Sequence, residues 1–200
     1  MTTSADNSLW LETAPTTDYP ALDVDVEVDV AVIGGGIVGL TTALLLKRDG
    51  ARVAVLEARR VGSGVTGCTT AKVTALQQTY YSSLRTRHGA EGAAVYGDAS
   101  RAGVEMVAQI AREESIDCEL ERRPAITYAA EPGQRSDIED ELQAARDAGL
   151  PVVLDESVDL PYPTYGAVRL DEQLQFHPVR YVQGLAAAVD GDGSSVFENT

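Results

Sequence analysis

The sequence predicts an α/β protein built on a Rossmann-like βαβ unit with a parallel sheet, and three observations support this. The apolar run at residues 28–33 is typical of a parallel strand buried on both faces. A glycine-rich turn follows, and residues 37–48 carry the apolar spacing of a helix. A second apolar run, residues 52–57, comes after Gly50. A strand, a crossover helix and a second strand joined in this way make the two strands parallel neighbours.

Composition limits the classes of partner. The 200 residues include 31 Asp plus Glu and 16 Lys plus Arg, a formal net charge of −15, and 44% of them are hydrophobic. The apolar content is typical of a globular chain, whereas the negative charge argues against nucleic acid or an anionic membrane surface. No apolar run approaches the ~20 residues of a membrane span. Residues 1–7 lack a signal-peptide pattern, so we expect a cytoplasmic protein without a membrane span.

The rest of the chain alternates between helices and short strands. We expect residues 1–25 to form an arm, which is either loosely ordered or held to the surface by Trp10. Pro178 suits the first turn of a helix. The pattern predicts helices over 74–87 and 90–114, strands at 118–121 and 125–129, a helix around 138–145, a strand at 152–154, a loop at 160–166, a helix over 178–189 and a strand beginning at 195.

The turn after the first strand contains G-x-G-x-x-G at Gly34, Gly36 and Gly39. These glycines permit the tight turn, the approach of a pyrophosphate to the backbone, and close packing of helix on strand. The helix N-terminus then offers N–H groups and partial positive charge to phosphates. Glu57 ends the second strand, where a carboxylate accepts hydrogen bonds from ribose hydroxyls and repels a 2′-phosphate, which disfavours NADP. The sequence therefore predicts a dinucleotide site.

The loop after the second strand bears on which dinucleotide is bound. Residues 61–71 are rich in Gly, Ser and Thr. Small residues allow the backbone to lie along an extended cofactor, and hydroxyl groups can bond its phosphates. This favours FAD, because a simple NAD domain usually enters another helix sooner. The alternative is a flexible connector.

Three stretches carry a resemblance to a known family: residues 29–40, 55–58 and 64–67. They resemble the D-amino acid oxidase family of FAD-dependent oxidoreductases, which includes glycine and sarcosine oxidases and amino acid dehydrogenases. Residues 69–72 (Thr-Thr-Ala-Lys) and 175–178 (Gln-Phe-His-Pro) are similar to a branch that carries a C-terminal Rieske iron–sulfur domain. The resemblance covers nearly the whole chain.

The resemblance implies FAD as cofactor and oxidation of an amine or amino acid C–N bond by hydride transfer to the flavin. Contacts to the ADP half would come from the residues after the glycine turn and at the end of the second strand, and the loop would follow the cofactor towards the flavin. The predicted cofactor-binding residues are Gly34, Gly36, Ile37, Val38, Gly39, Glu57, Ala58, Val65, Thr66, Thr70, Ala71 and Lys72.

The same resemblance divides the chain. It implies the arm at 1–25, an FAD-binding Rossmann-like portion at 26–115, the start of an α+β substrate domain at 116–172, and a return to the FAD domain at 173–200. We expect an N-terminal fragment whose partners are a small amine or amino acid substrate and, downstream in the parent chain, a Rieske 2Fe–2S domain. The paired Cys and His ligands of such a cluster are not found in this sequence, which has 2 Cys and 2 His.

The remaining reactive side chains have structural interpretations. Cys68 and Cys118 show no metal spacing and are interpreted as a small loop residue and a buried strand residue. His177 precedes Pro178 and is expected to begin a helix rather than to catalyse. Lys72 stays open between a cation that stabilises the reduced flavin and a plain surface lysine.

Two alternative functions stay open, and no catalytic residue is named. The first is an NAD-dependent dehydrogenase domain, which would bind NAD and show no flavin colour. The second is a non-catalytic, truncated nucleotide-binding fragment.

Overall fold

The computed structural model describes residues 8–200, which fall into two compact units; residues 1–7, the start of the predicted arm, lie outside the described residues. The first unit takes in the chain up to residue 71 with 109–120 and 176–200, and the second takes in 72–108 and 121–175. In chain order the elements are α1 (Leu9–Thr13), β1 (Val30–Ile33), α2 (Ile37–Arg48), β2 (Val53–Leu56), β3 (Lys72–Val73), α3 (Tyr80–Glu113), β4 (Glu121–Tyr128), α4 (Arg135–Asp147), β5 (Val153–Asp155), β6 (Ala167–Gln175), α5 (Pro178–Val189) and β7 (Ser195–Phe197).

The first unit contains a parallel sheet with the strand order β1-β2-β7. Val30 is the partner of Val53 across the first ladder, and Val55 is the partner of Val196 across the second. Helix α2 packs against β1, β2 and α5, and its Leu40 is completely buried. The predicted α/β class and the βαβ unit are therefore confirmed.

Strand β1 is less buried than its apolar sequence predicts. Ala31 and Ile33 are exposed and alternate with the half-buried Val30 and Val32. Successive side chains of a strand point to opposite faces of the sheet, so this alternation means that one face of β1 is exposed. Within residues 8–200, β1 is also an edge strand, paired only with β2. The expectation of burial on both faces is wrong for this strand.

The second unit contains an antiparallel sheet with the order β3-β6-β4, in which β5 also pairs with β6. Helix α4 packs on β6 and buries Ile138, Leu142 and Ala145, as their spacing predicts. Glu141 is completely buried on the same helix, and its carboxylate accepts hydrogen bonds from the backbone N–H groups of Tyr81 and Ser82 at 2.9 and 2.8 Å. It thereby caps the start of α3.

Two expectations about residues 118–129 need correction. The strands predicted at 118–121 and 125–129 are one strand, β4, whose register shifts between Arg123 and Ala125. Pro124 lies at that shift and has no N–H to give to the ladder. Cys118 is buried but precedes β4. Strand β6 was not predicted at all, since Asp171 and Glu172 interrupt its apolar pattern.

The helices predicted on either side of Gly89, at 74–87 and 90–114, both overlap α3. Gly89 itself is not helical, with φ 72° and ψ 178°. The first helix begins at Tyr80 rather than at Thr74. No helix among residues 8–200 has both the length and the apolar character needed to cross a membrane.

Candidate dinucleotide-binding site

A cleft of about 550 Å³ lies at the carboxyl ends of β1 and β2, around the glycine turn. Ligands of open α/β sheets bind at this edge, outside the carboxyl ends of the strands. Its lining comes from the end of β1, the first two turns of α2, Glu57 and the following loop: Val32, Ile33, Gly34, Gly36, Ile37, Val38, Gly39, Thr42, Glu57, Gly62, Gly64, Val65 and Thr66.

Two positions of the glycine turn require glycine for geometric reasons. Gly34 has φ +106°, a left-handed conformation that residues with a side chain rarely adopt. At Gly39 an added Cβ would lie 2.0 Å from the carbonyl oxygen of Gly34. Only a glycine allows α2 to approach the turn this closely, so the spacing in the sequence reports a real packing constraint.

The N-terminus of α2 is open to an anion. Gly36 is its N-cap and has no side chain to cap the helix. The Ile37 N–H donates to the hydroxyl of Thr66 at 3.2 Å. The N–H groups of the next two residues, Val38 and Gly39, have no carbonyl acceptor within the helix, because a helix leaves its first N–H groups without partners. They and the helix dipole suit a pyrophosphate.

The Glu57 carboxylate follows the end of β2, and hydrogen bonds within the protein occupy only some of its acceptor positions. Its Oε2 accepts a hydrogen bond from the Gly35 N–H at 2.7 Å, and its Oε1 accepts one from the Arg59 N–H at 2.9 Å. A carboxylate has about four acceptor positions, so about two remain. Those two suit the pair of hydroxyls on a ribose ring.

Apolar side chains at the cleft are largely exposed. The exposed fractions are 78% for Ile33, 77% for Val38 and 88% for Val65. Val65 opens a 3₁₀ turn, Val65–Cys68, which also carries Thr66. Apolar surface next to anion-binding N–H groups is the lining expected of a cofactor cleft. The donor set, the free acceptor positions and this surface therefore fit a dinucleotide.

The cleft brings together eight of the twelve predicted cofactor residues. The lining does not include Ala58 or Thr70, which are exposed, or Ala71, which is buried with φ 60° and accepts a hydrogen bond from the Phe176 N–H at 3.3 Å. Lys72 is exposed at the start of β3 in the second unit. A cofactor role for these four residues stays a prediction.

Sequence reasoning missed five lining residues: Val32, Ile33, Thr42, Gly62 and Gly64. The two glycines belong to the small-residue loop that the sequence marks as a cofactor loop, so that signal was present. Thr42 lies on the helix one turn beyond the motif, where nothing in its residue type distinguishes it.

His177 begins α5, as predicted. Its Nδ1 accepts the Arg180 N–H at 3.3 Å, and its Nε2 lies 3.0 Å from the hydroxyl of Thr13. Burial, and secondly the charge of Arg180, lower the pKa of His177 below its usual value, while Glu119 opposes them. The lowered pKa favours the neutral ring, and because Nδ1 accepts the Arg180 N–H, Nε2 is the ring nitrogen that can donate to Thr13.

The two cysteines have different surroundings. Burial raises the pKa of the Cys118 thiol to about 11, and Cys68 is an exposed residue at the end of the 3₁₀ turn. Within residues 8–200, no group of three or more His, Cys, Asp or Glu side chains is placed to hold a metal ion.

Comparison with known proteins identifies the family to which this chain belongs. The family model described as FAD dependent oxidoreductase matches residues 29–200. The chain is 33% identical over 98% of its length to "Putative Rieske 2Fe-2S iron-sulfur protein YhfW" of Bacillus subtilis. It is 30% identical over 56% of its length to gamma-glutamylputrescine oxidoreductase of Escherichia coli. It spans 38% and 26% of the lengths of these two relatives.

A similar fold occurs in a solved structure, the L-amino acid deaminase of Proteus myxofaciens in complex with anthranilate. The TM-score is 0.73 at 16% sequence identity, and the match covers 94% of this chain and 41% of the deaminase. At this identity the likeness concerns the fold.

Proposed function

We propose that this chain, which belongs to the family of FAD-dependent oxidoreductases, holds FAD in the cleft at the carboxyl ends of β1 and β2. The adenosine ribose would lie at Glu57 and the pyrophosphate at the N-terminus of α2. The observation that carries the proposal is the Glu57 carboxylate, which is fixed by the Gly35 and Arg59 N–H groups and keeps acceptor positions free. A fixed carboxylate loses little freedom when it binds a ribose.

We further propose that the parent enzyme oxidises a C–N bond of a small amine or amino acid. FAD, when bound, accepts the hydride from the carbon next to the nitrogen. The relative that acts on gamma-glutamylputrescine, and the fold shared with an amino acid deaminase, support this substrate class. Within the site, Thr66 and the N-terminus of α2 would orient the cofactor, while Val38 and Val65 would cover it and exclude water.

Two proposals concern the rest of the protein. The antiparallel sheet of the second unit would begin the substrate domain, because its mixed α and antiparallel β elements are those expected of that domain. The named relative YhfW supports a Rieske 2Fe–2S domain elsewhere in the parent chain, as an electron partner of the flavin. A cytoplasmic location stays a prediction.

Flavin retention tests the cofactor proposal. The purified protein is incubated with FAD and desalted, and its visible spectrum and FAD dissociation constant are measured. Removing charge-assisted hydrogen bonds with Glu57→Gln should raise the FAD Kd at least about tenfold, and Glu57→Arg should abolish retention. Glu91→Gln, an exposed glutamate on α3, is the matched control and should leave Kd unchanged.

Two outcomes would contradict the proposal. If Glu57→Gln binds FAD as tightly as the wild type, the ribose does not lie at this carboxylate. If the folded protein retains NAD but no flavin, the NAD-dependent alternative is correct.

The substrate class is tested separately by adding amines or amino acids to the flavin-loaded protein without oxygen. Loss of flavin absorbance supports the class, and an unchanged spectrum with all of them opposes it.

A further inference from the structure

An N-terminal segment, residues 8–22, lies across the first unit and is called the strap below. It begins with the short helix α1 and continues without regular secondary structure. Most of its hydrogen bonds to residues distant in sequence fall into three groups. One group holds the cofactor loop that lines the dinucleotide cleft, one holds α5, and one holds a buried glutamate.

The first group fixes the 3₁₀ turn of the cofactor loop. The Ser8 hydroxyl donates to the carbonyl of Gly67, and the Trp10 indole N–H donates to the carbonyl of Thr69 at 2.9 Å. Leu11 packs so tightly on Gly67 that an added Cβ would lie 2.7 Å from its Cδ2 atom. The turn held in this way carries Val65 and Thr66 into the cleft.

The second group fastens the strap to α5. The Trp10 ring meets the His177 ring edge-on, with 5.2 Å between centroids. Thr13 shares a hydrogen bond with His177 at 3.0 Å. The Gln183 amide donates to the Pro15 carbonyl at 2.7 Å. Trp10 therefore stands between the helix and the cofactor loop and touches both.

The third group is centred on Glu198, which is 1% exposed. Its Oε1 accepts hydrogen bonds from the Thr17 hydroxyl and from the Val61 N–H, and its Oε2 accepts one from the Tyr19 N–H at 3.3 Å. A carboxylate buried without such hydrogen-bond donors would destabilise the fold. Because Val61 opens the cofactor loop, the strap is tied to both ends of that loop.

We propose that the strap is a positioning element of the FAD site, with Ser8 and Trp10 as its positioning residues. This inference rests on the proposed function. Phosphates attract N–H groups and repel carbonyl oxygens. The strap engages the carbonyls of Gly67 and Thr69, so these peptides cannot turn their oxygens towards a bound anion. It also holds the turn where the Thr66 hydroxyl meets the start of α2.

The test separates the hydrogen bond from the ring and from general stability. Trp10→Phe keeps an aromatic ring but loses the N–H, and Ser8→Ala loses the hydroxyl. Each should raise the FAD Kd about fivefold, which is the change in affinity expected when one neutral hydrogen bond is lost. Trp10→Ala should raise it further. Leu9→Ala on the same helix, where the side chain is 59% exposed, is the control and should not change Kd.

The dissociation constants are measured by flavin fluorescence at a temperature where each apoprotein is fully folded, and the unfolding temperature of each apoprotein is recorded alongside. A raised Kd for Trp10→Phe and Ser8→Ala at that temperature supports positioning. Variants that lower the unfolding temperature but bind FAD like the wild type overturn the inference and leave the proposed function intact. A folded wild type that does not bind FAD overturns both.

Discussion

The close approach of α2 to the glycine turn can be tested by one methyl group. An added Cβ at Gly39 would lie 2.0 Å from the Gly34 carbonyl oxygen and 3.2 Å from its carbon. Contacts of real Cβ atoms begin near 3.0 Å, so the helix or the turn must move by ~1 Å. The contacted atoms belong to the Gly34 backbone carbonyl, which cannot rotate away from the new methyl group as a flexible side chain could.

The magnitude follows from two opposing effects. Replacing glycine by alanine inside a helix normally stabilises it by about 0.5–1 kcal/mol. Overpacking of this kind costs about 1–3 kcal/mol, and more where backbone is involved. We therefore expect Gly39→Ala to lower the free energy of unfolding by about 1–2 kcal/mol. Because Gly34 lies in the phosphate turn, FAD affinity should fall as well.

The matched control is Gly103→Ala on α3. No atom lies within 4 Å of an added Cβ there, so this variant should gain about 0.5–1 kcal/mol from helix propensity. Stability is measured by urea denaturation with circular dichroism, at equal m-values for all variants. A Gly39→Ala protein as stable as Gly103→Ala would refute the close approach of α2.

Three further predictions concern other side chains. The Tyr181 hydroxyl is buried and has no hydrogen-bond partner within residues 8–200; Tyr181→Phe should leave the unfolding temperature unchanged or raise it, and a large fall would reveal a missing partner. The pKa of His177 is lowered in the fold, so its contribution to stability is complete above its ordinary pKa of about 6.5 and is lost as pH falls through the lower folded value. His177→Asn, which caps α5 without titrating, should show a smaller loss of unfolding temperature on acidification; an identical pH profile would contradict this. Val65 is 88% exposed, so Val65→Ser should leave apoprotein stability unchanged but weaken FAD binding, and equal FAD affinity would argue against a contact.

The βαβ unit could be predicted because its signals are local. The turn at Gly34, the cap of α5 at His177 and the apolar spacing of α4 each depend on residues a few positions apart. Strand β6 could not be predicted in this way, since its identity depends on pairing with three other strands. Gln173, for example, is buried in β6, where its side-chain carbonyl accepts a hydrogen bond from the Ala75 N–H at 2.8 Å. No local pattern reports such a partner.

The site shows the same division. The sequence identified Gly36 and Glu57 from motif spacing, and the cleft contains both. It left two interpretations of the arm open, because the hydrogen bond from Trp10 to Thr69 joins residues 59 positions apart. The domain boundaries at residues 115/116 and 172/173 stay a prediction.

The strap and the cleft differ in what their residues do for the fold. Glu198 and Trp10 have their polar atoms paired within the protein, so their roles can be read from the contacts they make. Glu57, Val38 and Val65 keep acceptor positions and apolar surface that the fold leaves unused. Burial of that surface by a ligand would stabilise the native state without changing the unfolded chain. The cleft thus combines residues whose contacts are already complete with residues whose contacts a bound cofactor would complete.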